Sequence, residues 1–174
     1  DAPQTYQAML DAINGASESI YLVTYIFGND AAGKPLVDAL AAAVKRGVKV
    51  RVLIDGMGAH YSLPSVVWRL RRRGVPVQRF LYSLAPWRMP YINLRNHRKI
   101  MIVDRYLGFT GGMNIRAGYL HKPARTTDLH ARLEGPVVGQ LLRSFAADWV
   151  FTCGEVLETS YRGPAQVGEV QARG

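Results

Sequence analysis

The sequence has little cysteine and histidine: one cysteine, Cys153, and four histidines among 174 residues. A single cysteine excludes an internal disulfide, and no cysteine–histidine cluster has the spacing of a zinc site. No apolar run reaches the ~18–20 residues of a membrane-spanning helix. The chain starts at Asp1 and not at a methionine, so the sequence does not exclude an upstream targeting segment or membrane anchor. With 48% hydrophobic and 20% charged residues, the composition is that of a globular domain with its own core.

Acidic residues are scarce in the middle of the chain. Residues 61–132 contain fourteen Lys and Arg but only two acids, Asp104 and Asp128, which gives a net charge of +12. The flanking parts, 1–60 and 133–174, have net charges of −1 and −2. This asymmetry favours an anionic partner for the middle segment, either nucleic acid, anionic lipid or a phosphate-bearing substrate. It does not choose among the three.

Hydrophobic periodicity predicts alternating strands and helices along the chain. Helical patterns cover 5–16, about 35–46, 64–73 and 136–151, and strand patterns cover 19–27, 48–55, 75–80, 99–104, 106–110 and 127–135. The strand–helix–strand–helix–strand run over 19–80 predicts an α/β fold with parallel strands. The glycine-containing tail has weak periodicity, so we expect one domain at 1–153 and a tail or linker at 154–174.

The stretch "NHRKIMIVD", residues 96–104, places two cationic side chains at the start of an apolar strand. Strand side chains alternate between faces, so His97 and Lys99 project the same way, while Asp104 points elsewhere. Gly111-Gly112 follow, where backbone can approach a ligand closely, and Asn114 adds an amide donor. The pattern predicts that His97, Lys99 and Asn114 surround one anion, with backbone N–H groups assisting.

Written as H-x-K-x4-D-x6-G-G-x-N, this pattern resembles the HKD signature of the phospholipase D superfamily. "NLRNHRKIMIVD", "GFTGGMNI", "DLHARLEGP" and "FAADW" together resemble the N-terminal half of bacterial cardiolipin synthases. The resemblance implies a mixed, largely parallel sheet flanked by helices on both faces, with one HKD repeat. Gly112 stands where the family often has serine, so it is expected to contribute only through its backbone.

The resemblance implies attack on a phosphodiester by a histidine nitrogen, which forms a phosphohistidine, without a metal or other cofactor. His97 is then the nucleophile or its acid/base counterpart. Lys99, Gly111, Gly112 and Asn114 hold phosphoryl oxygens. Arg95 is added as a substrate-binding residue. It ends the aromatic stretch 81–95, which is expected either to pack on the domain or to enter a membrane interface or line a lipid-tail channel.

The two acids of the basic segment have separate expected roles. Asp128 stands about where the family keeps a carboxylate that holds the other imidazole nitrogen, and its alternative is an ordinary strand-edge aspartate. Asp104 completes the signature and is counted with the catalytic group, although a structural ion pair or hydrogen bond is more expected than contact with substrate.

The signature occurs once, whereas the chemistry requires two histidines. His60, His121 and His130 open no second H-x-K-x4-D pattern and are expected to be ordinary surface or core histidines. A second HKD segment must therefore come from a C-terminal half or from a homodimer mate.

Three functions follow from the resemblance. The first is phosphatidyl transfer between phosphatidylglycerol-like lipids, or phospholipase D activity, in a protein peripherally associated with the cytoplasmic side of a membrane. The second is a metal-independent nuclease acting as a homodimer, and of the two enzymatic functions only this one has nucleic acid as a partner. The third is a non-catalytic lipid- or nucleic-acid-binding half.

Overall fold

The computed structural model describes residues 2–60, 64–82, 95–120 and 128–164. These ranges hold four α-helices and six β-strands. The helices are α1 (Ala2–Gly15), α2 (Gly33–Lys45), α3 (Val66–Arg72) and α4 (Val137–Cys153). The strands are β1 (Ser19–Thr24), β2 (Lys49–Asp55), β3 (Val77–Phe80), β4 (Ile100–Val103), β5 (Leu107–Gly111) and β6 (His130–Glu134). Short 3₁₀ helices lie at Gly58–His60 and Ala117–Tyr119.

The six strands form one mixed sheet in the order β3-β2-β1-β4-β5-β6. The pairs β1/β2 and β2/β3 are parallel, as predicted for the first part of the chain. The other three pairs are antiparallel, so the sheet is less parallel than expected. For β4 and β5 the reason is their connection: the tight turn at 104–106 can only join antiparallel strands, because parallel neighbours need a long crossover.

Helices cover both faces of the sheet, which confirms the predicted sandwich. On one face, Ile20 and Leu22 of β1 join a core cluster with buried residues of α1, α2 and α3. On the other face, Tyr21 and Val23 pack with α4, whose buried side chains include Phe145 and Trp149. Successive residues of β1 thus serve opposite faces, and all six are buried, as in a central strand.

The predicted helix boundaries lie within three residues of the ends found. Pro136 immediately precedes α4, where its fixed φ suits the helix entry. Gly154 ends α4 in the left-handed conformation with a φ of 77°, and Gly47 follows the end of α2 with a φ of 90°. Glycine adopts this conformation at little cost, so both helices end where the sequence supplies it.

Residues 154–164 have no helix or strand and are tied to the sheet by ion pairs. Arg51 of β2 contacts Glu155 at 2.6 and 2.9 Å, and the indole N–H of Trp149 donates to the same carboxylate at 2.9 Å. The buried Arg105 pairs with Glu158 at 2.5 Å. This segment therefore crosses from β2 to the turn after β4, with β1 between them in the sheet. Among the helices described, none combines the length and apolarity needed to cross a bilayer.

Candidate active site

The sheet topology brings the HKD segment to one edge. The parallel strands β1 and β2 end there, and β4 begins there because it runs antiparallel to β1, with Ile100 beside Val23. In the next pairs, β5 ends and β6 begins at the same edge, with Gly111 opposite His130. The three sequence segments that contain His97, Asn114 and Asp128 therefore converge, although they are far apart along the chain.

His97 and Lys99 share one side of the chain, against the ring of Tyr25. The His97 and Tyr25 rings meet edge to face with centroids 4.5 Å apart, and Lys99 Nζ lies 5.8 Å from the Tyr25 centroid. This agrees with the prediction from strand alternation, although β4 itself begins only at Ile100. Lys99 Nζ also donates to the carbonyl oxygen of His97 at 2.7 Å. His97 is exposed and open to a ligand, while Lys99 is half-buried.

Asn114 reaches the same place from the end of β5. Its Oδ1 accepts a hydrogen bond from the backbone N–H of Ile26 at 3.1 Å, one residue beyond Tyr25. Its Nδ2 has a longer contact of 3.4 Å with Tyr119 Oη. Because the carbonyl oxygen of the side chain is used by the backbone, the amide N–H group is the part of Asn114 that can donate to a phosphoryl oxygen.

The two glycines of the signature lie against the start of β6. A Cβ on Gly111 would stand 2.1 Å from the carbonyl oxygen of Leu129, and a Cβ on Gly112 would stand 2.3 Å from Oδ1 of Asp128. The carboxylate of Asp128 thus occupies the space that a side chain at position 112 would need. This contact gives a physical reason for glycine at a position where the family often has serine.

The charge of the Asp128 carboxylate affects the pKa of both Lys99 and His130. Burial lowers the pKa of the Lys99 ammonium, and the Asp128 carboxylate acts against that shift. The pKa of His130 is lowered in the same way, again opposed by Asp128. Among the described residues, no hydrogen bond joins Asp128 to His97. Its role as the acceptor for the imidazole stays a prediction.

Asp104 lies at the other end of β4 and is not brought to the site. Seven residues of extended chain separate it from His97, which is roughly 23 Å. Its carboxylate accepts hydrogen bonds from the backbone N–H groups of Ser17, Glu18 and Ser19 at 2.7–2.9 Å and from the Ser17 hydroxyl at 3.0 Å. Burial acts to raise the pKa of Asp104, but these bonds outweigh it and hold the pKa below its ordinary value. Its contacts are those of a structural residue.

Arg95 lies near His97 and lines the same groove, together with Phe80 and Phe151. Its predicted role in substrate binding stays a prediction. The remainder of the aromatic stretch, 83–94, lies outside the described residues.

The sequence did not identify the side chains that hold residues 96–98, the segment around His97, in place. The buried carboxylate of Asp55, at the end of β2, accepts from the backbone N–H of Asn96 at 2.9 Å. The Asn96 side chain donates to Asp148 of α4 at 2.7 Å and accepts from the backbone N–H of Arg98 at 3.1 Å. Arg98 in turn pairs with Asp148 at 2.5 Å. The residues on both sides of His97 are thereby fixed, and an aspartate ending a buried strand was the available signal.

Tyr25 was also missed as a site residue, since it was counted only as part of an apolar strand. Its place directly after β1, at the edge where the parallel strands end, was the signal that could have identified it.

The second histidine is not supplied by His130 in this structure. Both of its ring nitrogens are buried and have no hydrogen-bond partner, so neither can reach a substrate without rearrangement. His121 and the side chain of His60 lie outside the described residues. Over the described ranges, no group of three or more His, Cys, Asp or Glu side chains is placed to hold a metal ion.

Comparison with known proteins agrees with this geometry. Residues 9–149 match the family model described as "Cardiolipin synthase, PLD-like domain". The chain is 37% identical over 173 residues to a cardiolipin synthase of Alkalihalophilus pseudofirmus, covering 95% of this chain and 34% of that protein. It is 36% identical over 155 residues to cardiolipin synthase A of Pseudomonas fluorescens, covering 87% and 32%. The chain therefore spans about a third of the length of these curated relatives.

Solved structures show the same fold. The phospholipase D family member Nuc of Salmonella typhimurium superposes with a TM-score of 0.63 at 24% identity, covering 82% of this chain and 85% of that one. Phosphatidylserine synthase of Haemophilus influenzae gives a TM-score of 0.64 at 20% identity, covering 85% and 35%. The matched region is therefore most of the Nuc chain and about a third of the phosphatidylserine synthase chain. Since the family model spans most of the sequence, the chain belongs to the PLD-like domain family of cardiolipin synthases.

Proposed function

We propose that this chain provides one half of the active site of a phospholipid phosphatidyltransferase of the cardiolipin synthase type. The observation that supports this most is the convergence of His97, Lys99 and Asn114 beside Tyr25, in a chain of the cardiolipin synthase family. The substrate is a phosphatidylglycerol-like lipid, and the acceptor is the alcohol of a second such lipid. With water as the acceptor, the same site acts as a phospholipase D.

In the proposed reaction, a nitrogen of His97 attacks phosphorus and the bond from phosphorus to the leaving alcohol oxygen breaks. The product is a phosphohistidine on His97. A histidine from a second HKD segment gives its proton to the leaving alkoxide and later takes a proton from the incoming alcohol, whose oxygen displaces His97. The two histidines can exchange these roles.

Lys99 and Asn114 stabilise the charge that develops on the phosphoryl oxygens. The ammonium of Lys99 is half-buried, so its interaction with an anion is less screened than at an open surface. An anionic phosphoryl group beside Lys99 also favours the charged form of this lysine, against the effect of burial on its pKa.

The second HKD segment comes either from a C-terminal half of the same protein or from a homodimer mate. The chain covers about a third of its curated relatives, which favours the first arrangement. We propose residues 1–153 as the catalytic half-domain and 154–174 as the tail or linker toward the second half. Peripheral membrane contact on the cytoplasmic side fits the lipid substrate and the +12 charge of residues 61–132.

The test is turnover by the intact protein on phosphatidylglycerol vesicles in the presence of EDTA. We expect formation of cardiolipin and glycerol, loss of at least a thousandfold in His97→Asn, and trapping of ³²P on His97 if it is the nucleophile. An intact protein that leaves all phospholipids unchanged contradicts the proposal.

A metal-independent nuclease is the second candidate, because residues 61–132 carry a net charge of +12, which suits a polyanionic substrate. Supercoiled plasmid DNA incubated with EDTA and the intact protein separates the two. Nicking that requires His97, without any action on lipid, would favour the nuclease.

A further inference from the structure

A groove of about 650 Å³ opens beside His97, on the side of the sheet that α4 covers. Its apolar lining is Phe80 at the end of β3, Leu81, and Phe151 in the last turn of α4. The two phenylalanine rings meet at a tilt, with centroids 5.8 Å apart. The volume lies within the ~300–1,000 Å³ of small-molecule sites.

The apolar lining is unusual because Phe151 is 68% exposed. An exposed aromatic side chain that lines the same groove as a reactive histidine is typical of a ligand-binding surface. The rest of the groove's lining is polar and consists of Asn96, His97 and two cations, Arg95 and Arg98. The guanidinium of Arg98 is paired with the carboxylate of Asp148 at 2.5 Å.

We infer that this groove holds the apolar chain of an amphipathic phosphodiester whose phosphorus lies at His97. The inference rests on the proposed function and deepens it, because it assigns one place to the acyl part of the transferred phosphatidyl group. The chemistry of the groove matches such a ligand: cations and an imidazole lie at the phosphate end, and two aromatic rings and a leucine lie along the chain. A nucleic acid, by contrast, would bring a sugar and a base, followed by further charged phosphates, to the apolar part instead of a hydrocarbon.

The experiment measures binding rather than turnover, so that it does not depend on catalysis. The probes are n-alkyl methyl phosphates from ethyl to octyl, below their aggregation concentrations, titrated calorimetrically into the intact protein. Each methylene that enters the groove should tighten binding about fourfold. The gain in affinity per added methylene should stop once the alkyl chain fills the groove.

Phe151→Ala is the test variant, because its exposed position makes misfolding an improbable outcome. We expect the gain per methylene to fall to about twofold or less. Trp68→Ala is the matched control: Trp68 is 53% exposed on α3, away from the groove, and its loss should leave the fourfold slope unchanged.

Four outcomes overturn the inference. The first is binding that does not depend on chain length, and the second is an unchanged slope in Phe151→Ala. The third is tighter binding of oligothymidylate than of octyl methyl phosphate, with a loss in Phe151→Ala, which would assign the rings to base stacking. The fourth is a change in the solution mass of the assembly in Phe151→Ala, which would show that a second half covers the groove. Failure of the proposed function is a separate result, seen as absence of phosphatidylglycerol turnover while the chain-length slope persists.

Discussion

The side chain of Asn96 donates to the carboxylate of Asp148 at 2.7 Å, so helix α4 holds the residue that precedes His97. The same carboxylate pairs with Arg98, the residue that follows His97. Asp148 is mostly buried, with 14% of its side chain exposed, while Arg98 is 52% exposed. One carboxylate therefore holds the side chains of both neighbours of the proposed nucleophile, and we infer that Asp148 is a positioning residue.

Asp148→Asn is expected to lower kcat about tenfold with a smaller change in KM. The substitution weakens one charge-assisted hydrogen bond and one ion pair, each worth about 1–3 kcal/mol in such settings. Phosphatidyl transfer measured over a range of lipid concentrations checks the split between kcat and KM. Glu134→Gln is the control: the Arg132–Glu134 pair lies on the surface of β6, and its loss should leave both constants unchanged. Equal losses in the two variants would contradict the positioning role.

Gly112→Ala is expected to displace the Asp128 carboxylate, because its Cβ would stand 2.3 Å from Oδ1. Both residues are exposed and the carboxylate can rotate away, so the cost in unfolding free energy should be at most about 1 kcal/mol. Activity should fall as the carboxylate moves from Lys99. Gly15→Ala is the control, because a Cβ there meets no atom within 4 Å, and it should leave activity unchanged.

A double-mutant cycle tests the same contact more sharply. In the background of Asp128→Ala the clash is absent, so Gly112→Ala should then cost little in unfolding free energy. Additive effects of the two substitutions would exclude the contact between Gly112 and Asp128.

Asp104→Asn is expected to destabilise the fold by about 1–3 kcal/mol at pH 7, through weaker bonds to the N–H groups of 17–19. The φ of 49° at Asp104 is tolerated by asparagine, so the substitution isolates the charge. Because the pKa of Asp104 is depressed in the folded state, its contribution is present above the ordinary aspartate pKa of about 3.9 and is lost as pH falls through the lower folded value.

Urea unfolding between pH 2 and pH 7 measures this linkage: the difference between wild type and Asp104→Asn should shrink toward acid. Loss of turnover in the folded variant as large as that of His97→Asn would instead place Asp104 at the reacting phosphate.

The alkaline limb of kcat/KM is expected to depend on Asp128. Burial lowers the pKa of Lys99 and Asp128 opposes this, so Asp128→Asn should lower that pKa further. If the charged ammonium binds the phosphate, activity should then fall at a lower pH than in wild type. Profiles of kcat/KM from pH 6 to pH 10 check this. An alkaline limb that stays in place, with a shifted acidic limb, would assign Asp128 to the imidazole instead.

Local sequence predicted the parts of the fold that depend on short-range physics. The apolar stripe of α2 before Gly47 and the β-branched run of β1 place each element within a few residues, because periodicity and terminating glycines act locally. The directions of β4, β5 and β6 were less predictable, since strand orientation depends on partners that are distant in the chain.

The candidate site divides in the same way. His97, Lys99, the two glycines and Asn114 could be found from their spacing, because the signature lies within one short stretch. Tyr25, Asp55 and Asp148 could not be found from spacing, because each lies on or next to a different element. They contact Asn96 or His97 only because the ends of β1 and β2 and helix α4 come together in the fold.

By itself, the sequence determined the chemistry available to this protein: one histidine–lysine pair, an asparagine donor and a strongly basic middle segment. Only the tertiary structure decided where each of the two acids of this segment lies. Asp104 and Asp128 are indistinguishable as residue types, yet one end of β4 gives Asp104 three backbone N–H partners and the other end sets Asp128 against Gly112 and beside Lys99. The physical reason is that a carboxylate takes its role from the donors and charges around it, and the folded sheet brings these together.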